Sequence, residues 1–421
     1  MKVLLIDNFF YRRGGAEVVF LNTGELLKAN GHEVVYFCQE WEQNLSCKDS
    51  KYFPKGVDTK SQGLADKFKG ICNYFYNREA AEKLDELLTI EKPDIAHIHL
   101  FWGGISPSIF KVLRRHNIPI IHTVHDYRIV CPAYTFKNNK DEICEICAGK
   151  KFYNCIKNRC SRGSLVMSTL MCMEMYSRNW FMNPVKNIDS FMFVSNFCSD
   201  KHIKHEPMFE NKHCVTMYNF QDAEVLAETD KTIDTYDSYY LFYGRLSYEK
   251  GIKTLIEAFT EKKHLKLKIV GTGPLEKELK QLCVDNNATN IEFAGYKTGK
   301  ELYHIIKNAK FVCVPSEWYE NNPMTIIESY TLRTPVIGAE IGGIPEIIKE
   351  GETGYKFISG NVEDLRRAIT ITENLEKEKY VALKNDAEIF ANQNFSKENY
   401  YAKLMELYQQ TISNYNKKIK A

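Results

Sequence analysis

An α/β protein built as two parallel-sheet domains is what this sequence predicts, and three observations carry that expectation. The chain has 421 residues, too many for one ordinary core and about right for two large domains. Short apolar strands alternate with amphipathic helices along most of its length, the pattern of βαβ units and a parallel sheet. The alternation breaks once, over the polar and acidic stretch "QDAEVLAETDKTIDTYDS" at 221–238, and then restarts, which marks a link between domains.

Taken in order, the first series opens with a strand at Val3–Asp7, a loop holding Gly14 and Gly15, a helix over 16–29 and a strand at Glu33–Phe37. It continues with "DIAHIHL" (94–100), a helix over 106–116, "IPIIHTVHD" (118–126), "SFMFVS" (190–195) and "CVTMYN" (214–219). The second series has strands at Tyr239–Gly244, Leu267–Gly273, Ile291–Gly295, Phe311–Ser316 and Pro335–Glu340, with helices such as 274–286 and 300–309 between them. The tail "KENYYAKLMELYQQTI" has the spacing of an amphipathic terminal helix. The expected architecture is therefore two Rossmann-like domains facing across a cleft. Residues 1–220 form the first, with a cysteine-rich insertion at 131–160; residues 221–395 form the second; a terminal helix over 396–421 returns to the first.

Composition narrows the function. Hydrophobic residues make up 44% and charged residues 26%, ordinary for a soluble globular chain, and a formal net charge of +2 lacks the basic excess of a nucleic-acid binder. "MKVLLIDNFF" is no secretion signal, because Asp7 interrupts a short apolar run and no cleavage site follows. "SLVMSTLMCMEMY" (164–176) is shorter than the roughly 20 residues that cross a bilayer and reads as a buried or interfacial helix. Thirteen cysteines without a secretion signal point to a reducing compartment, hence the cytoplasm.

The second series carries the chemistry. Ligands of parallel sheets bind beyond the carboxyl ends of the strands, and there the chain reads "GRLSYEKG" (244–251) and "PSEWYENNP" (315–323). Arg245 and Lys250 beside the turn at Gly244 suit a diphosphate, Arg as a fork and Lys as a point charge. Pro323 fits the first turn of a helix over 324–332, leaving the N–H groups of Met324 and Thr325 for an anion. Glu320 and Glu328 flank that helix start. Carboxylates so placed accept hydrogen bonds from sugar hydroxyls, so the acids are expected to hold a sugar nucleotide.

"GRLSYEKGIKTLIEAF", "VGTGPLEKEL", the run from "AGYKTGKELY" to "GETGYKF" and the N-terminal "GGAE" together resemble retaining glycosyltransferases of family four, with the GT-B fold. The resemblance implies that Arg245 and Lys250 bind the donor diphosphate, that Glu320 contacts the transferred sugar, and that Glu328 contacts the ribose. It implies that Tyr296 and Lys297 lie beside the base, that Gly14 and Gly15 approach the phosphates, and that His125 points at the donor sugar. The donor would be a UDP- or GDP-sugar and the acceptor a glycan or lipid-linked glycan. No metal would take part in the chemistry, the first domain would hold the acceptor, and Asp126 is expected to orient His125. Pro323 departs from the glycine frequent at that position in the family. Two rivals remain: an epimerase of the same fold, and a non-catalytic nucleotide-sugar-binding scaffold.

The insertion reads "CPAYTFKNNKDEICEICAGKKFYNCIKNRC" (131–160). Its C-x2-C pair with outlying cysteines has the spacing of a structural zinc site, with Cys131, Cys144, Cys147 and Cys160 as ligands and Cys155 as the alternative fourth; the other reading is free thiols that pack locally. Lys150, Lys151, Phe152, Tyr153, Lys157, Arg159 and Arg162 make a basic, aromatic patch that suits equally an anionic membrane, which would place the protein at its inner face, and a plain solvated surface.

Overall fold

The computed structural model describes residues 1–56, 64–221 and 239–420, so the expected interdomain stretch after Gln221 lies outside the described residues. The chain divides into two compact units, 1–217 with 401–421, and 218–400.

In the first unit the order is β1 (Lys2–Ile6), α1 (Gly15–Ala29), β2 (Glu33–Phe37), α2 (Leu64–Phe75), α3 (Arg78–Glu91), β3 (Ile95–Ile98) and α4 (Ile109–Arg115). Then follow β4 (Ile120–Val124), α5 (Tyr153–Lys157), α6 (Leu165–Phe181), α7 (Pro184–Asn187), β5 (Ser190–Phe193), α8 (Asn196–His205) and β6 (His213–Thr216). The strands form one parallel sheet in the order β2-β1-β3-β4-β5-β6. Val3 to Ile6, Ile95 to Ile98 and Ile120 to Val124 are buried throughout, as strands covered on both faces must be. Asn77 starts α3 by accepting from the N–H of Ala80 at 3.0 Å.

The second unit runs β7 (Tyr239–Tyr243), α9 (Ile252–Thr260), β8 (Lys266–Val270), α10 (Glu276–Asp285), β9 (Ile291–Gly295), α11 (Gly299–Asn308), β10 (Phe311–Val314) and α12 (Met324–Thr331). It ends with β11 (Val336–Ala339), α13 (Ile344–Ile347), β12 (Gly354–Phe357), α14 (Val362–Glu373), α15 (Lys377–Asn394) and the start of α16 (Lys397–Lys420). Its parallel sheet has the order β12-β11-β10-β7-β8-β9. The chain therefore leaves β7 toward one side of the sheet and β10 toward the other. Two apolar clusters cover its faces, one around Leu255, Phe259 and Leu365 and the other around Ile326, Tyr330 and Phe390.

The later part of α16 packs within the first unit. Leu404, Leu407 and Tyr408 are buried, the Tyr408 hydroxyl lies 2.7 Å from Nδ1 of His97, and Thr411 meets Ser190 at 2.7 Å. Each buried leucine contributes about 2 kcal/mol to that attachment.

Candidate functional site

The strand order of the second unit makes β7 and β10 neighbours whose connections diverge, the topology that opens a crevice at their carboxyl ends. Residues 244–251 leave β7 there and residues 315–323 leave β10. Two glycines let these loops meet. Gly251 has φ +65° and a Cβ there would stand 1.9 Å from the Pro315 carbonyl oxygen; Gly342 has φ +63° and its Cβ would stand 2.2 Å from that of Glu320. The N–H of Gly343 donates to the same Glu320 carbonyl at 2.7 Å, so the "IGG" turn after β11 fixes the backbone that carries the acid.

Glu320 is 7% exposed, and Lys250 reaches its Oε1 at 2.5 Å. Ser316 donates to the same oxygen at 3.1 Å. Burial pushes the Glu320 carboxyl up, but the Lys250 ammonium, together with the Trp318 and Ser316 side chains, outweighs it and holds the group below its ordinary value, ionised at neutral pH. Arg245 and Gly244 are exposed at the end of β7, and Arg245 has no ion-pair partner among the described residues.

Pro323 is the N-cap of α12, outside the first turn, so Met324 and Thr325 supply the first helical N–H groups. Glu328 is half-buried on the next turn, where it faces Tyr243. Burial and then the Glu328 charge push the Tyr243 hydroxyl well up, so it stays protonated, and it donates to the Thr325 carbonyl at 2.7 Å. Tyr296, 70% exposed, and Lys297 follow β9, two strands from β7 and so about 10 Å away. Lys297 pairs with Glu301 at 2.6 Å. The second unit thus pairs Lys250 with Glu320, leaves Gly244 and Arg245 exposed at the start of the loop that carries Lys250, sets Glu328 against Tyr243, and holds Tyr296 and Lys297 farther along the sheet.

In the first unit, Asp7, His99 and His125 follow the carboxyl ends of β1, β3 and β4. Nδ1 of His99 lies 3.0 Å from Nε2 of His125, with the rings stacked at 5.2 Å and 23°. The His97 ring lies 4.5 Å from that of His99, tilted by 33°, and His97 also reaches Thr123 at 2.6 Å. Burial pushes His97 and His125 down to about 3 and His122 to about 4, and takes His99 well below its ordinary value. All four rings are neutral at pH 7. The Asp126 carboxylate pairs with Arg128 at 3.2 Å and accepts the Arg128 backbone N–H at 2.9 Å.

Gly14 caps α1 and is exposed with Gly15, while Glu17, one turn on, is buried. Burial raises the pKa of Glu17, and burial followed by the Glu17 charge raises Asp7 further. Asp7 Oδ1 accepts the Phe9 N–H at 2.9 Å, and its Oδ2 has no hydrogen-bond partner. Sequence reasoning missed Asp7, Glu17, His99 and Tyr243 as site residues. The available signal was their position, since each lies at a strand end or a helix start.

The expected zinc is not supported. Among the described residues, no group of three or more His, Cys, Asp or Glu side chains could hold a metal ion, and Cys131, Cys144, Cys147, Cys155 and Cys160 are all free. The Cys155 thiol donates a hydrogen bond to the Cys160 sulfur, which holds Cys160 down, while burial pushes Cys131 and Cys147 up to about 12. The insertion is anchored by other means. Glu145 binds Lys201 and, at 3.0 Å, Lys204 on α8; Phe136 packs on His205 at 5.0 Å; and Lys150 pairs with Glu206 at 3.0 Å.

Two family profiles match this chain: "Glycosyl transferases group 1" over residues 227–390 and "Glycosyltransferase Family 4" over residues 13–142. A 42.6 kDa protein of the cps region of Klebsiella pneumoniae is 24% identical over 369 residues, 82% of this chain and 87% of that protein. The solved structure of a sucrose-phosphate synthase from Thermosynechococcus elongatus matches with TM-score 0.71 and 17% identity over 98% of this chain and 99% of that one. HepE of Anabaena, solved in complex with UDP-glucose, matches with TM-score 0.63 and 15% identity over 98% of this chain and 100% of that one.

Proposed function

Because the chain belongs to the group 1, family four glycosyltransferases and has the GT-B fold, we propose that it moves a sugar from a nucleotide-diphosphate sugar to a glycan or lipid-linked acceptor, with retention at the anomeric carbon. The observation that carries this reading is the group at the ends of β7 and β10. It comprises an exposed Arg245 without an ion-pair partner and a Lys250–Glu320 pair at 2.5 Å beside the free N–H groups of α12.

In this reading Arg245 and Lys250 take the diphosphate, and the first N–H groups of α12, at Met324 and Thr325, add helix-end charge. Glu320, ionised, accepts hydrogen bonds from the sugar hydroxyls. Glu328 takes the ribose hydroxyls, steadied by Tyr243, and Tyr296 and Lys297 lie beside the base. Gly14, Gly15 and His125 of the first unit are assigned to the phosphates and the transferred sugar. The bond between the anomeric carbon and the diphosphate oxygen breaks, and the acceptor oxygen bonds to the same face of that carbon. The acceptor proton passes to the departing phosphate, giving a glycoside and a nucleoside diphosphate. The cationic side chains lower the barrier by stabilising charge on the leaving group. These residues supply that charge stabilisation themselves, and in this reading the reaction uses no metal.

The HepE complex holds UDP-glucose, which supports a UDP-sugar as donor, with a GDP-sugar as the alternative. The Klebsiella relative belongs to a cps region, which supports a role in surface polysaccharide or glycolipid synthesis; in this reading the protein works in the cytoplasm, at the inner face of the membrane. No helix among the described residues is long and apolar enough to cross a membrane. The test is incubation with UDP- and GDP-sugars and an oligosaccharide acceptor, followed by proton NMR of the new anomeric centre. Product keeping the donor's configuration is expected; an inverted product overturns the retaining assignment, and a changed sugar nucleotide without acceptor would favour the epimerase.

A further inference from the structure

Helix α6 buries an ion pair beside Cys172 and Met175 and leaves several large apolar side chains exposed. Glu174 and Arg178 are buried and paired at 3.2 Å, and Arg178 lies 4.2 Å over the Trp102 ring. Val166, Met173 and Trp180 are 69, 55 and 84% exposed, and Phe181, 72% exposed, extends that surface at the last turn, where its ring stacks with Trp180. Positions 166, 173 and 180 are spaced by two helical turns, so they form one stripe. A helix resting on a globular core keeps its charges outside and most of its large apolar side chains inside, and a contiguous exposed apolar face marks a binding surface.

The flanking segment adds charge of one sign. It lies alongside α6, with Phe152 on Tyr176 at 5.2 Å and the Tyr176 hydroxyl donating to the Lys150 carbonyl at 3.0 Å. Lys151, Lys157, Arg159 and Arg162 are all exposed, and none has a carboxylate partner among the described residues. Between Gly149 and Phe181 the only acid is Glu174, which is buried. The inner face of α6 is tied to the loops after β3 and β4, through Trp102 and the Arg128 carbonyl, at the strand ends that carry His99 and His125.

We propose that α6 and the segment 149–163 form a docking surface for an anionic lipid bilayer, and that the acceptor is drawn from that surface. Apolar and aromatic side chains on one helix face, rimmed by unpaired lysine and arginine, match an interface where acyl chains meet anionic headgroups. A second copy of the chain fits less well, because a two-fold contact would bring these cations against their own copies. The docking half of the proposal stands apart from the sugar-transfer reading; the lipid-linked acceptor rests on it.

The full chain is centrifuged with vesicles of phosphatidylcholine alone and of equal parts phosphatidylcholine and phosphatidylglycerol. Binding to the anionic vesicles only, weakened by salt, is expected. The double variant Trp180→Ser, Phe181→Ser should lose about tenfold or more in partitioning. Exchanging Lys151, Lys157, Arg159 and Arg162 for glutamine should lose about as much and remove the salt dependence. Wild type staying in the supernatant with both vesicles, or both folded variants binding as wild type does, overturns the proposal. So does a lipid-free dimer that the double variant dissolves, which would make the occupant a second copy. Vesicle binding by a protein that takes no sugar nucleotide would leave docking intact and sink the transfer reading.

Discussion

The ammonium of Lys250 lies 2.5 Å from Oε1 of Glu320, across the two loops that leave β7 and β10. The lysine is 27% exposed at its side chain and the glutamate 9%, so the pair is a largely desolvated ion pair open toward the crevice on the lysine side. Without Lys250, the carboxylate would be left buried and uncompensated.

Lys250→Met should therefore cost about 2 kcal/mol of stability while the chain still folds, because one charge is left unpaired. Turnover should fall at least about a hundredfold, because charge stabilisation of the leaving group is lost. Steady-state kinetics beside thermal melting checks both, and unchanged turnover would remove Lys250 from the site.

Glu320 also sets a pH signature. Its folded pKa is depressed, so its contribution to stability is complete above the ordinary glutamate range and fades as pH falls through the folded value. Between about pH 5 and pH 3, wild type should lose more stability than Glu320→Gln. Parallel melting curves across that window would contradict the assignment.

Asp7 has the opposite sign. Burial and then Glu17 hold its pKa well above the ordinary range, so the folded chain binds its proton more tightly and stability is lost as pH rises from about 4 toward the folded value. Asp7→Asn keeps the acceptor for the Phe9 N–H and removes the buried charge. Its melting temperature should gain on wild type from pH 4 to pH 8; a difference that does not vary with pH would show that Asp7 titrates normally.

Much of this was readable from the chain because strand ends write their own punctuation. Gly244, Gly271 and Gly295 end β7, β8 and β9, and the charged residues placed just beyond them, Arg245 and Lys250, could be assigned to a ligand before any coordinates. Glu320 was legible as an anomaly, an acid in an apolar run, but its partner was not, since Lys250 is seventy residues away and only the β7–β10 neighbourhood joins them. His99 was hidden for another reason. In "HIHL" it reads as strand alternation, and its contact with His125 exists only because β3 and β4 lie side by side. The cysteine spacing records sequence proximity only; the contacts that tie the insertion to α8, from Glu145 to Lys204 and from Phe136 to His205, were not legible in it. In α6, the apolar run was visible but the inward turn of Glu174 and Arg178 was not.

If His125 faces the transferred sugar as proposed, its contact with His99 makes His99 a positioning residue. His99→Leu should lower kcat about tenfold to a hundredfold with KM little changed, since the reacting ring loses its fixed orientation. His99→Asn, which keeps a polar atom near Nδ1, should recover part of the loss. Because burial holds His125 down to about 3, kcat should show no histidine inflection between pH 5 and pH 8. An inflection near 6.5, or equal rates for both variants, would rule out this arrangement.

The most direct test of the central claim, that the ends of β7, β10 and α12 hold a sugar nucleotide, is thermal unfolding with a panel of UDP- and GDP-sugars in wild type and Glu328→Ala. At about a hundred times its dissociation constant, the true donor should stabilise wild type by roughly 2.7 kcal/mol. The same concentration should stabilise Glu328→Ala clearly less, because the ribose contact is gone. Stabilisation by no member of the panel, or an equal shift in the variant, would contradict the donor site described for the second unit.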